Sequence, residues 1–151
     1  MSDTATFLSS EREQILSSAE AALARMHATH YESAGAEAVR GRLSALFDRL
    51  VEGLAAHDVA PIIAYAQRVA HERFEAGYDL SEVQIAFNAL EEAAWSRVLE
   101  ALEPTSYAEA LGLISTVLGA GKDALAREYV SLAANTRAPS LDLRALFAGT
   151  S

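Results

Sequence analysis

The chain has 151 residues, a formal net charge of −9, no cysteine and one lysine, Lys122. That length suits one domain able to hide roughly 68–70% of its unfolded surface. The missing cysteines exclude disulfides and thiolate–metal sites, and the negative charge opposes nucleic acid and anionic membranes, whose recognition needs clustered cations. The opening MSDTATFLSS lacks both basic residues and an apolar core, so it does not read as a secretory signal. No run of about 18 apolar residues offers a membrane span. A cytoplasmic protein is the expectation.

Alanine, leucine, glutamate and arginine dominate, all strong helix formers, and no segment alternates with period two. An all-α fold follows. The first helix is expected from about Ser10 to His30, opened by a Ser10–Glu13 capping box and striped by Ile15, Ala19, Leu23 and Met26. Gly35 breaks the chain, and a second helix over 36–56 carries Val39, Leu43, Leu46, Phe47, Leu50 and Leu54 at three- and four-residue steps. Asp58 then serves as an N-cap, with Pro61 in the first turn of a third helix over about 59–76.

Gly77 suits the left-handed cap that ends this helix. Asp79 and Glu82 form the capping box of the next, with Tyr78 placed to staple on Val83. That fourth helix runs to about Leu102, one face holding Val83, Phe87, Leu90, Ala94 and Val98, a second Ile85, Trp95 and Leu99. Pro104 opens a last long helix, about 105–135, striped by Leu111, Ile114, Leu118, Leu125 and Leu132. The short connection makes these two helices antiparallel neighbours. Gly112, Gly119 and Gly121 each cost a helix about 1 kcal/mol relative to alanine, which implies a close approach of another backbone or a kink.

The expected architecture is therefore a five-helix globin-like or bundle domain over residues 1–138, followed by an amphipathic tail over 139–151 with Leu141, Leu143, Leu146 and Phe147.

Chemistry is harder to find. A di-metal bundle needs Glu-x-x-His pairs on one helical face, and none occurs. GAGKD at 119–123 lacks the spacing, the hydroxyl residue and the preceding strand of a phosphate loop, so it reads as helix packing. No G-x-S-x-G elbow supports a serine nucleophile. No catalytic residue, metal site or cofactor is assigned. For a ligand, the candidates are His71, Tyr65 and Trp95. His71 precedes the next helix much as a globin's haem-bound histidine does, and the two aromatics suit either a pocket or the core.

Arg73, Gly77, Leu80, Glu82 and Val83, in ERFEAGYDLSEV, carry a resemblance to a known family. An arginine, a glycine, then leucine and Glu-Val opening a long amphipathic helix resembles the N-terminal domain of the RsbRD-type co-antagonists of the kinase RsbT. Related domains precede PucR-type and other bacterial regulatory modules. The resemblance implies a non-enzymatic, all-helical input domain related to haem-free globin-like sensors that dimerise. No output domain follows about Asn135, so the expectation is a stand-alone regulatory or sensory domain acting through a signalling partner in trans. The alternative is a globin-like small-molecule or haem-binding protein.

A homodimer is expected, built on Ile85, Trp95 and Leu99 of one helix and Leu111, Ile114, Leu118 and Leu125 of the next, because closed two-fold symmetry favours a self-complementary face. The tail is expected to dock in a groove.

Overall fold

The computed structural model describes residues 3–26 and 29–137. Among them are seven α-helices and no strand: α1 Asp3–Ser10, α2 Arg12–Met26, α3 Thr29–Ala34, α4 Ala36–Ala56, α5 Ala60–Glu75, α6 Leu80–Ala101 and α7 Tyr107–Arg137, with one 3₁₀ turn, Pro104–Ser106, before α7. The all-α class stands, and the expected count of five becomes seven. The tail, with Leu141, Leu143, Leu146 and Phe147, lies outside the described residues.

The two extra helices flank α2. The expected first helix begins earlier and breaks at Glu11, whose N–H is shared between the carbonyls of Phe7 (3.2 Å) and Leu8 (3.0 Å). Ser10 therefore ends a helix instead of capping one, and its hydroxyl donates to the Phe7 carbonyl at 2.7 Å. The Ser10–Glu13 box does not form because the break falls inside it. α1 is too short to hold a helix alone. Packing against α4 holds it, with Ala5 and Leu8 fully buried. Arg97 of α6 fixes the break by pairing with Glu11 at 3.2 Å.

α4 lies at the centre, touching every other helix. Its buried residues, Val39, Leu43, Leu46, Phe47, Leu50 and Leu54, are those of the expected stripe, with Gly53 between them. α5 starts as expected, with proline in its first turn. Asp58 acts from one position before the N-cap, its Oδ1 accepting the Ala60 N–H at 2.9 Å.

α7 packs along both α5 and α6. Against α6 it is antiparallel: the Tyr107 hydroxyl donates to the Leu99 carbonyl at 2.8 Å, Lys122 meets Asn88 at 3.0 Å, and the Tyr129 hydroxyl reaches the Tyr78 carbonyl at 3.1 Å. Against α5 it is parallel, with Gly121 beside Ile62 and Glu128 beside His71. Of its three glycines, only Gly121 answers to close packing. A Cβ there would meet Ile62 Cγ1 and Phe87 Cε2 at 3.0 Å, whereas Gly112 and Gly119 face open space. The close approach is thus to side chains, not to another backbone.

Candidate functional site

The α5–α6 junction is dictated residue by residue. Gly77 has φ +87°, a conformation that carries no penalty only for glycine. Its N–H bonds the Phe74 carbonyl at 3.1 Å, and the Tyr78 N–H bonds the Arg73 carbonyl at 2.9 Å. That is the paired closure of a Schellman cap. Immediately afterwards the Asp79–Glu82 capping box opens α6, with the Glu82 carboxylate accepting the Asp79 N–H at 3.1 Å. Leu80 packs partly buried on the core, and Val83 is 1% exposed.

This double cap holds Tyr78 at the middle of a polar and aromatic cluster. Its ring stacks on His30 at 4.5 Å and meets Tyr31 edge-on at 5.6 Å. The guanidiniums of Arg42 and Arg73 lie over it at 5.5 and 5.7 Å, within cation–π range. Arg42 donates to the Tyr78 hydroxyl at 2.6 Å and also sits over the Tyr31 ring. From α7, Tyr129 donates to the Tyr78 carbonyl and packs edge-on against Phe74 at 5.6 Å. Helices α3, α4, α5, α6 and α7 are thereby tied together at one end of the bundle.

Burial pushes the Tyr31 phenol up to about 12, with Arg73 and Arg42 pulling the other way. Burial likewise raises Tyr129 to about 12, and raises Tyr65. The Tyr129 hydroxyl, kept neutral, serves as the donor to the Tyr78 carbonyl. The Glu82 carboxyl is held below the usual carboxylate range, chiefly by its bond to His30, whose Nδ1 lies 2.7 Å from Oε2.

One face of Tyr31 opens onto a cleft of about 460 Å³ between α2 and the α3–α4 corner. Leu23, Ala24, Ala36 and Val39 line it, with Glu20 and Glu32 among its polar groups. Its lining is mainly apolar, the character of a binding cleft. A second groove, of about 470 Å³, lies on the outer side of α6 between Asn88 and Leu99. There Trp95 is 39% and Leu99 48% exposed. Among the described residues, no group of three or more histidine, aspartate or glutamate side chains is placed to hold a metal ion. Among the described residues, no helix is long and apolar enough to cross a membrane.

The sequence candidates separate accordingly. His71 is exposed on α5, its Nε2 lying 2.9 Å from Glu128 Oε1. Tyr65 is half-buried beneath the Arg68 guanidinium, 5.6 Å from its ring. Trp95 belongs to the α6 groove, which contains neither of the other two. Arg73, Gly77, Leu80, Glu82 and Val83 all belong to the double cap or the cluster beneath it. Ile114, Leu118 and Leu125 are fully buried in the chain's own core, which corrects their placement on a subunit face. Their faces are filled by the packing of α7 between α5 and α6. Ile85 and Leu111 are partly buried against the core, leaving Trp95 and Leu99 as the exposed members of that set.

Sequence reasoning passed over His30, Tyr31, Arg42 and Tyr129. The available signal was spacing: Tyr129 continues the face of Leu125 at four residues, and Arg42 precedes the buried Leu43. Neither position reveals a shared partner, because Tyr78 brings them together only in three dimensions.

Glu82 gives a testable pH dependence. A carboxyl depressed in the fold adds stability above its unfolded value and loses it as pH falls through the folded value. Glu82→Gln should therefore cost about 1–2 kcal/mol near pH 7. The gap to wild type should begin to narrow below about pH 4, the ordinary glutamate range, and close only below the lower folded value. Urea unfolding at both pH values measures this, and an equal gap at both would remove the charge from the account.

Residues 12–146 match the family model described as the RsbT co-antagonist protein rsbRD N-terminal domain. No match was found among curated proteins or among solved structures.

Proposed function

Because this chain belongs to the family of RsbT co-antagonist rsbRD N-terminal domains, a signalling-related regulatory family, we propose that it is a non-enzymatic helical regulator acting through protein contacts. The contact favoured first is with a second copy of itself, and a signalling protein engaged in trans comes second. The observation that carries this reading is the α6 groove. Trp95 and Leu99 stand one turn apart on the same helical face and are both exposed, the residue types and spacing of an anchor pair.

The acids beside them favour self-contact. A two-fold axis brings like charges together, yet Glu91 is paired with Lys122 at 3.2 Å and Glu92 with Arg25 at 3.5 Å. Each acid therefore reaches the axis with its charge already compensated. His71, exposed and paired with Glu128, gives no support to haem ligation. A Soret band in freshly purified protein would shift the reading to that alternative.

Light scattering at micromolar concentration should report a dimer. Leu99→Arg should weaken it by at least about tenfold, or ~1.4 kcal/mol. Its thermal unfolding should barely change at concentrations where both proteins are monomeric, since Leu99 is half exposed. A wild-type monomer throughout the micromolar range would overturn the self-contact.

A further inference from the structure

We propose that the segment following α7, residues 139–149, folds back into the cleft between α2 and the α3–α4 corner of its own chain. Leu143, Leu146 and Phe147 are the side chains that enter it.

The direction of α7 makes the first case. Tyr129 is bonded to the Tyr78 carbonyl, Tyr78 is in edge contact with Tyr31, and Tyr31 forms the cleft wall. From Tyr129, α7 continues eight residues to Arg137, or about 12 Å. The chain therefore leaves α7 at the end of the bundle where the cleft opens, not at the end where α6 turns into α7. Another nine residues reach Leu146, and extended chain covers about 30 Å in that number.

The family match supplies the second case. It does not stop where α7 stops but runs on to residue 146, so most of this segment belongs to the domain's own pattern.

Chemistry and size supply the third. Leu143, Leu146 and Phe147 are spaced i, i+3, i+4, which sets them on one face of a helical turn. A cleft of about 460 Å³ holds a few such side chains.

The chain has no cysteine, so a cysteine pair tests the contact cleanly. In the full chain, Ala24→Cys with Leu146→Cys places one thiol in the cleft and one on the segment. Ser106→Cys with Leu146→Cys is the control, at the far end of the bundle. Under mild oxidation the first pair should form an intrachain disulfide, seen as a faster band on a non-reducing gel, at least about tenfold faster than the control. Denaturant should abolish the difference, and adding Leu143→Ser and Phe147→Ser to the first pair should reduce its rate to that of the control. Equal rates in the two pairs, no disulfide in either, or a disulfide only between two chains would each overturn the proposal. So would a small apolar molecule that co-purifies in the cleft and leaves the thiols unlinked. Because these readouts score linkage within one chain, they stand apart from the α6 self-contact, which is scored by mass.

Discussion

Phe87→Ala is expected to destabilise the domain by about 3–5 kcal/mol, the range for emptying a buried aromatic site. Phe87 is 2% exposed and points from α6 toward the α5–α7 contact, its Cε2 beside the backbone of Gly121. Truncation leaves a void between three helices whose relative positions are fixed elsewhere. Tyr129 and Tyr107 tie α7 to α6 at its two ends, so α7 cannot simply collapse into the space. For a chain of this size each kcal/mol lowers the melting temperature by about 2–4 °C, so a fall of roughly 6–20 °C should be seen by circular dichroism. A drop below about 2 °C would mean that the site relaxes freely and that the end ties do not hold α7.

The helices from α4 onward were legible because each combines a wide apolar stripe with explicit punctuation. Gly35, Asp58, Gly77, Asp79 and Pro104 all stand at or beside the ends they signal. α1 was not legible, because its eight residues bury Leu8 and Ala5 fully, with Thr4 and part of Phe7 beside them, and owe their helix to α4. Local spacing sees no such debt. The same limit explains the division of the apolar residues on α7. The stripe from Leu111 to Leu125 shows that one face is buried, but not whether α5, α6 or a second chain covers it. Parallel packing on α5 decided that question for Ile114, Leu118 and Leu125.

The candidate site was legible in half. The double cap at Gly77–Glu82 could be read as a helix junction because Schellman closures and capping boxes are local patterns. The cluster around Tyr78 could not, since its members span from His30 to Tyr129 and share no periodicity. The junction motif has a structural task that accounts for most of its residues: Gly77 turns the chain, Glu82 caps it and reaches His30, and Arg73 covers the ring that the turn presents. What it positions is the Tyr31 wall of the cleft. The junction braces that wall because α3, α5, α6 and α7 all meet around Tyr78.

Gly121→Val should cost about 3 kcal/mol, at the upper end of the usual range for overpacking a core. Alanine at this site gains about 1 kcal/mol of helix propensity. Its Cβ, however, would sit 3.0 Å from Ile62 Cγ1 and Phe87 Cε2. Ile62 is fully buried and Phe87 nearly so, so neither can swing into solvent to make room. Valine adds two methyl groups to the same crowded volume. Gly119→Ala, two residues away and facing open space, should instead stabilise the helix by about 0.5–1 kcal/mol. Opposite signs from two glycines on one helix separate packing from propensity. A double-mutant cycle isolates the cause: with Phe87→Leu in place, Gly121→Ala should become nearly neutral, and the two changes should deviate from additivity by about 0.5–3 kcal/mol. Strict additivity in that cycle, or a Gly121→Val protein that melts with the wild type, would show that α7 does not rest on Ile62 and Phe87 as closely as its glycine implies.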